Sequence, residues 1–137
     1  MPEPRTLELT VNDCWNQLAT TAFGRLAVIT NGLPEIFPLN YALDGHTLVF
    51  RTRVGSKLND LVMYNTVVFE ADGWDGSEGW SVIVHGEARV IDGDAELEQA
   101  SGLLHIPWHS ATESEFVRIT PKELSGRKSN FAAQRVA

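Results

Sequence analysis

Arg51, Arg53 and Lys57 fall close together in a stretch with no acidic side chain between Asp44 and Asp60, in a chain whose formal net charge is -7. Cations left unopposed in an acidic protein are suited to holding an anion. The residues between them supply the rest of such a site. Gly55 permits a sharp turn and Ser56 stands where a helix N-cap belongs. The first amides of the helix that follows point outward at the positive end of its dipole. A phosphate is the natural ligand for this arrangement. The same residues also have a plain structural use, with Ser56 capping the helix and the cations solvated. A nucleotide-triphosphate loop is excluded, since G-x-x-x-x-G-K-[ST] needs an earlier glycine and a hydroxyl after the lysine, where Leu58 stands.

Other chemistry-bearing residues offer less. His105 and His109 are four apart, a spacing that suits a metal on a regular helix, but Pro107 lies between them and no further Cys, Asp or His pair completes a ligand set. No metal is expected. Cys14, the only cysteine, lies on an apolar helical stripe and reads as a small buried hydrophobe. His85 is the one titratable group that could be named as an acid or base. It reads more simply as a surface histidine, so the catalytic residue is left unassigned.

The elements that must position these residues follow from periodicity. Thr10 reads as an N-cap with Asp13 in the first turn, and Val11, Cys14, Trp15, Leu18, Ala19 and Ala22 form a stripe of helical period. From Gly24 the period changes to two. Arg25 to Thr30 is a strand, Asn31-Gly32 a hairpin turn, and Pro34 to Leu43 the return strand, with Phe37, Leu39, Tyr41 and Leu43 inward and Ile36, Pro38, Asn40 and Ala42 outward. Pro38 cannot donate to a ladder, which makes this strand an edge or bulged nearby. His46 to Arg53 is the third strand, followed by the turn at Gly55 and a helix. Thr66 to Asp72 is the fourth, and Gly73 to Gly79 a turn-rich loop. Trp80 to Ile91 is the fifth and longest, with Gly86 predicting a bend. A short helical turn runs from Asp94 to Gln99, and Gly102 to Ser110 reads as irregular. Glu115 to Thr120 is the last strand, and Thr120-Pro-Lys-Glu123 predicts a helix start stopped by Gly126.

The pattern is mostly β: a six-stranded antiparallel barrel with a few peripheral helices, its 137 residues (1–137) forming a single domain. A barrel of this size fills its interior with side chains. A large ligand must then lie outside the wall, covered by a second subunit. The acidic balance argues against nucleic acid, and no apolar run approaches the roughly 20 residues that cross a bilayer. With an N-terminal Met-Pro-Glu-Pro-Arg-Thr lacking an apolar region, a cytoplasmic protein is expected.

Taken in order, Gly24-Arg-Leu-Ala27, Phe37-Pro-Leu-Asn-Tyr41, Phe50-Arg-Thr52 with Gly55-Ser-Lys57, Val68-Phe-Glu-Ala-Asp72, Gly79-Trp-Ser-Val82 with Val84-His-Gly86, Pro107-Trp108, and Arg118-Ile-Thr-Pro121 with Gly126-Arg127 cover nearly the whole chain. On these motifs the sequence resembles the pyridoxamine phosphate oxidase-like family of FMN-binding split barrels, in particular its short branch that includes nitroimidazole-resistance proteins. The resemblance implies a Greek-key split barrel and a homodimer with FMN at its interface. It implies that Arg51, Thr52, Ser56 and Lys57 hold the FMN phosphate, that Pro38 and Asn40 line the ring, and that Trp80 and Ser81 come from the facing subunit. Arg127 is a weaker candidate for the same site, and the position of Trp80 on an apolar face also fits plain core. The implied activity is FMN-dependent oxidation or reduction of a small molecule. The alternatives are a non-catalytic flavin-sequestering module, or a barrel holding a deazaflavin or a haem, the last with His105 or His109 as axial ligand. The chain ends in Gly126-Arg-Lys-Ser-Asn-Phe-Ala-Ala-Gln-Arg-Val-Ala137 where true pyridoxamine phosphate oxidases carry an Arg-Leu-x-Pro-type segment. Vitamin B6 oxidation is therefore left without its substrate segment.

Overall fold

A computed structural model of the chain describes residues 5–53, 65–105 and 114–130. Helix α1 (Val11–Leu18) begins where the sequence places it. The Thr10 hydroxyl accepts the Asp13 amide at 3.1 Å, and Asp13 puts a carboxylate at the positive end of the helix. Cys14, Trp15 and Leu18 are its buried stripe. The Tyr41 hydroxyl donates to the Leu18 carbonyl, one of the acceptors that the helix's own ladder leaves open at its end.

Seven strands follow the chain: β1 (Thr6–Glu8), β2 (Phe23–Thr30), β3 (Leu33–Asp44), β4 (Thr47–Arg53), β5 (Thr66–Asp75), β6 (Glu78–Val90) and β7 (Ser114–Asn130). Their order is β1-β7-β4-β3-β2-β5-β6, every pairing is antiparallel, and β6 returns to pair with β7 so that the sheet closes on itself. The mostly β split-barrel architecture expected from the sequence is the one found. Asn31 (φ 53°) and Gly32 (φ 78°) supply the left-handed pair that a two-residue hairpin between β2 and β3 requires. Alternation then fills the interior: Leu26 and Val28, Tyr41, Leu48 and Phe50, Val67 and Phe69, Val82 and Val84 form one buried cluster beneath α1.

Several boundaries differ from the expectation, each for a physical reason. Residues 6–8, to which no element is assigned from the sequence, form β1 along the far end of β7, with Leu7 opposite Lys128. All three side chains are exposed, so no alternation marks this strand; an available edge creates it. The expected loop from Gly73 to Gly79 is largely ladder, since β5 runs to Asp75 and β6 starts at Glu78. Gly73 is there for packing: a Cβ on it would lie 2.7 Å from the Trp80 indole nitrogen.

The helix expected from Thr120 is a continuation of β7. Pro121 faces Gly86, and the register between β6 and β7 slips at His85/Gly86, so the residue that cannot donate sits at a bulge. This bulge is also the bend expected in the long strand. Helix α2 (Asp94–Leu103) runs past Gln99, because Leu97, Ala100 and Leu104 keep helical spacing against a second cluster of Val49, Ile91 and Phe116. The turn at Gly55, the helix expected after it, and with them Ser56 and Lys57, lie outside the described residues, as does His109.

Candidate functional site

Helix α2 covers part of the barrel's outer wall. Ala42 on β3, Val49 on β4 and Phe116 on β7 pack beneath it. One step along the same outward alternation on each strand, Asn40 and Arg51 emerge from under the helix, and both are exposed. Pro38 stands two residues before Asn40 on the same face and is also exposed. Opposite these residues β3 pairs with β2, Arg25 facing Pro38 and Phe23 facing Asn40, whereas the β3–β4 ladder begins only at Tyr41. The first part of β3 is thus an edge at Pro38, as its missing donor predicts. Three of the expected site residues, Pro38, Asn40 and Arg51, share this outer surface. Thr52 does not: it alternates inward with Leu48 and Phe50 and is buried.

Ser81 lies on the same outer face, three strands away. The register Pro38–Arg25–Glu70–Ile83 runs straight across β3, β2, β5 and β6, and Asn40 and Ser81 flank that row on the same side. At about 4.8 Å per strand, roughly 14 Å separates them along the sheet. Between them stands a charged triad in which Arg25 donates to Glu70 at 2.9 Å and reaches Asp72 at 2.8 Å. The Asp72 hydrogen bond, above all, raises the Arg25 pKa further. Burial pushes the Glu70 carboxyl up, Asp72 adds to the rise, and Arg25 opposes it. Trp80 points the other way from Ser81, packs on the interior cluster and lies against Gly73, so its core role is realised. It also borders a groove of 330 Å³ with Asp72, Asp75, Glu78 and Lys128. Ser81 faces Arg127 across the β6–β7 ladder, and the two line another groove of 480 Å³. The expected site residues of one chain therefore fall in two separate groups: Pro38, Asn40 and Arg51 on one part of its wall, Ser81 and Arg127 on another.

Sequence reasoning missed the groove beside Asn40. It measures 420 Å³ and runs between the end of α1 and its loop (Ala19, Thr21, Ala22), the outer side of β3 (Asn40, Ala42), and the end of α2 (Leu103, Leu104, His105). Its α2 wall is seated by Leu103 and Leu104 on the cluster of Val49, Ile91 and Phe116, while Arg118, buried beneath the helix, holds its first turn. Arg118 donates to Glu96 of α2 at 3.0 Å and to the Thr47 hydroxyl at 2.6 Å, and pairs with Asp44 at 2.9 Å. Arg89 holds the same Glu96, and these hydrogen bonds, Arg89's first, keep its carboxyl below the usual range despite opposing desolvation. No local motif marks this cluster, since its members come from β3, β4, β6, β7 and α2. The register that joins them was the missing signal. Among the described residues no group of three or more potential metal ligands is found, and no helix is long and apolar enough to cross a membrane.

Comparison with known proteins matches residues 10–128 to the family described as pyridoxamine 5'-phosphate oxidase. The solved structure of the FAD binding protein from Mycobacterium smegmatis is 36% identical with a TM-score of 0.78, over 92% of this chain and 100% of that one. A FAD-binding protein from Mesorhizobium loti is 25% identical with a TM-score of 0.80, over 93% and 98% of the two chains. The uncharacterized protein Rv3129 of Mycobacterium tuberculosis is 38% identical over 92 residues, which are 67% of this chain and 84% of that protein. A family match of that extent, joined to the closed antiparallel sheet and the motifs along it, means that the chain belongs to the pyridoxamine 5'-phosphate oxidase family.

Proposed function

We propose that this protein is a flavin-dependent oxidoreductase acting on a small molecule, a cytoplasmic homodimer with the flavin, FMN, held between subunits. The observation that carries the reading is the outer surface of β3 and β4, where Pro38, Asn40 and Arg51 stand exposed side by side. These residues fit the cofactor. The Arg51 guanidinium has no ion-pair partner among the described residues and suits a phosphate; the Asn40 amide suits a polar ring edge; Pro38 and Ala42 leave room for a flat ring against the strand. A bound flavin supplies hydride or one-electron transfer. The chain's own part is to anchor the phosphate, orient the ring through Asn40, and shield its far side with Ser81 and Arg127 of a second copy. Ser56 and Lys57 belong to the same phosphate site in this reading. Thr52, buried at the end of β4, would serve through its backbone.

Titrating riboflavin, FMN and FAD into cofactor-free protein tests this. The relatives named for FAD make the third ligand essential, since both nucleotides present the same first phosphate. FMN is expected to bind at least several-fold more tightly than riboflavin. Arg51→Ala should erase most of the difference, because a charge-assisted hydrogen bond to phosphate contributes about 1.5 to 3 kcal/mol. Equal affinities for riboflavin and FMN would refute the phosphate site. Catalysis is tested separately, by anaerobic bleaching of the bound flavin with a nicotinamide donor. A rate no greater than that of free FMN would favour a flavin-sequestering role.

A further inference from the structure

The groove between α1, β3 and α2 differs chemically from the others on the barrel wall. The 330 Å³ groove at Trp80 is bordered by Asp72, Asp75, Glu78 and Lys128, and the 480 Å³ groove at Ser81 by Glu8 and Arg127. Among the described residues the 420 Å³ groove has neither a carboxylate nor a lysine or arginine along it. Its walls are alanine and leucine side chains, with the Asn40 amide, the Thr21 hydroxyl and His105 as its polar groups. We infer that this groove is the substrate subsite and that it takes a neutral, mainly apolar small molecule, not a phosphorylated or otherwise anionic one.

The volume is that of a small-molecule pocket. A phosphate placed against these alanines and leucines would lose hydration with no cation among the described lining residues to replace it, whereas an uncharged ring system would bury apolar area and keep Thr21 for an orienting hydrogen bond. The wall is also preformed. Buried Arg118 ties the first turn of α2 through Glu96 to Asp44 and Thr47, and Leu103 and Leu104 seat the other end of the helix on the cluster of Val49, Ile91 and Phe116. The groove is continuous with the proposed cofactor surface, because Asn40 and Ala42 line it. Its assignment as the substrate subsite rests on the flavin reading, while its preference for neutral ligands does not.

The test uses two fluorescent probes that differ by one phosphate, 2-naphthol and 2-naphthyl phosphate, titrated into the full chain as purified and again after loading with FMN. The neutral probe is expected to bind at least about tenfold more tightly than its phosphate once FMN fills the phosphate site, and to bind equally well in both preparations. Ala22 is exposed at the groove's rim, so Ala22→Asp and Ala22→Trp change charge or volume there with little demand on the core. Each is expected to weaken the neutral probe about tenfold while far-UV circular dichroism and flavin content stay at the wild-type level. Tighter or equal binding of the phosphate probe to the FMN-loaded protein overturns the proposal, and so does unchanged binding in both variants. A protein that takes up no flavin yet binds 2-naphthol at this groove would sink the cofactor reading and leave the ligand preference standing.

Discussion

At the scale of single residues, small side chains decide what can approach what. Gly126 lies where β7 passes under α1, and a Cβ there would stand 2.8 Å from the Cys14 sulfur and 3.0 Å from Leu9. Gly126→Ala therefore overpacks the contact with the fully buried Cys14 and should cost about 1 to 3 kcal/mol, read as a lower urea midpoint at unchanged slope; an unaltered midpoint would show that α1 can shift freely. Burial pushes the Cys14 thiol up, in keeping with an inert core cysteine and not a nucleophile. Alternation made much of this legible. It placed Pro38 and Asn40 outward and Cys14 inward, and it sets Arg51 and Thr52 on opposite faces, which grouping them by a shared phosphate ligand concealed. What it could not supply was the register. That Arg25 meets Glu70 and Asp72 depends on how two strands far apart in the chain align, a choice made by the whole sheet.

At the scale of elements, α2 is held by charges from several strands as much as by its apolar stripe. Glu96 links it to Arg118 and Arg89, and its carboxyl titrates below its ordinary value of 4.5 in the folded chain. The lowered folded value makes the sign definite: the contribution is fully present above pH 4.5, where the unfolded chain is also ionised, and is lost as pH falls through the folded value. Wild type should exceed Glu96→Gln in melting temperature near neutrality, and the gap should close on acidification below that range. A gap that stays constant into strong acid would mean that Glu96 acts by shape and not by charge. The capped start of α1 and the Asn31-Gly32 hairpin were readable because their signals are local. The second half of β7 was not, because Thr120-Pro-Lys-Glu123 is a sound local helix start that a ladder with β6 overrides, Gly86 making room for Pro121.

At the scale of the whole molecule, the outer wall of the β2–β3 hairpin is conspicuously apolar. Ile29 and Ile36 are 46% and 67% exposed, Phe23 is 48% exposed, and Pro34 and Pro38 lie in register between them. Such a stripe beside the proposed cofactor surface is what a two-fold pair of subunits would cover. Light scattering is expected to give a dimer at micromolar concentration. Ile36→Asp should shift it toward monomer and, with the subunits parted, weaken FMN binding as well; a flavin-loaded monomer would contradict this arrangement. Barrel closure was foreseeable from strand count and the bend at Gly86. The identity of the closing strand was not, and it bears on how the chain reaches its fold. β7 is the latest strand in chain order, and it joins β4 to β6 across the barrel. Until it docks, the earlier strands can pair only as an open sheet whose two edges, β4 and β6, remain bare. Closure must wait for long-range pairings such as Phe50 with Val117, which form slowly relative to hairpins. A chain halted during synthesis before Ser114 would therefore present two unpaired strand edges, an invitation to edge-to-edge aggregation that the finished barrel withdraws.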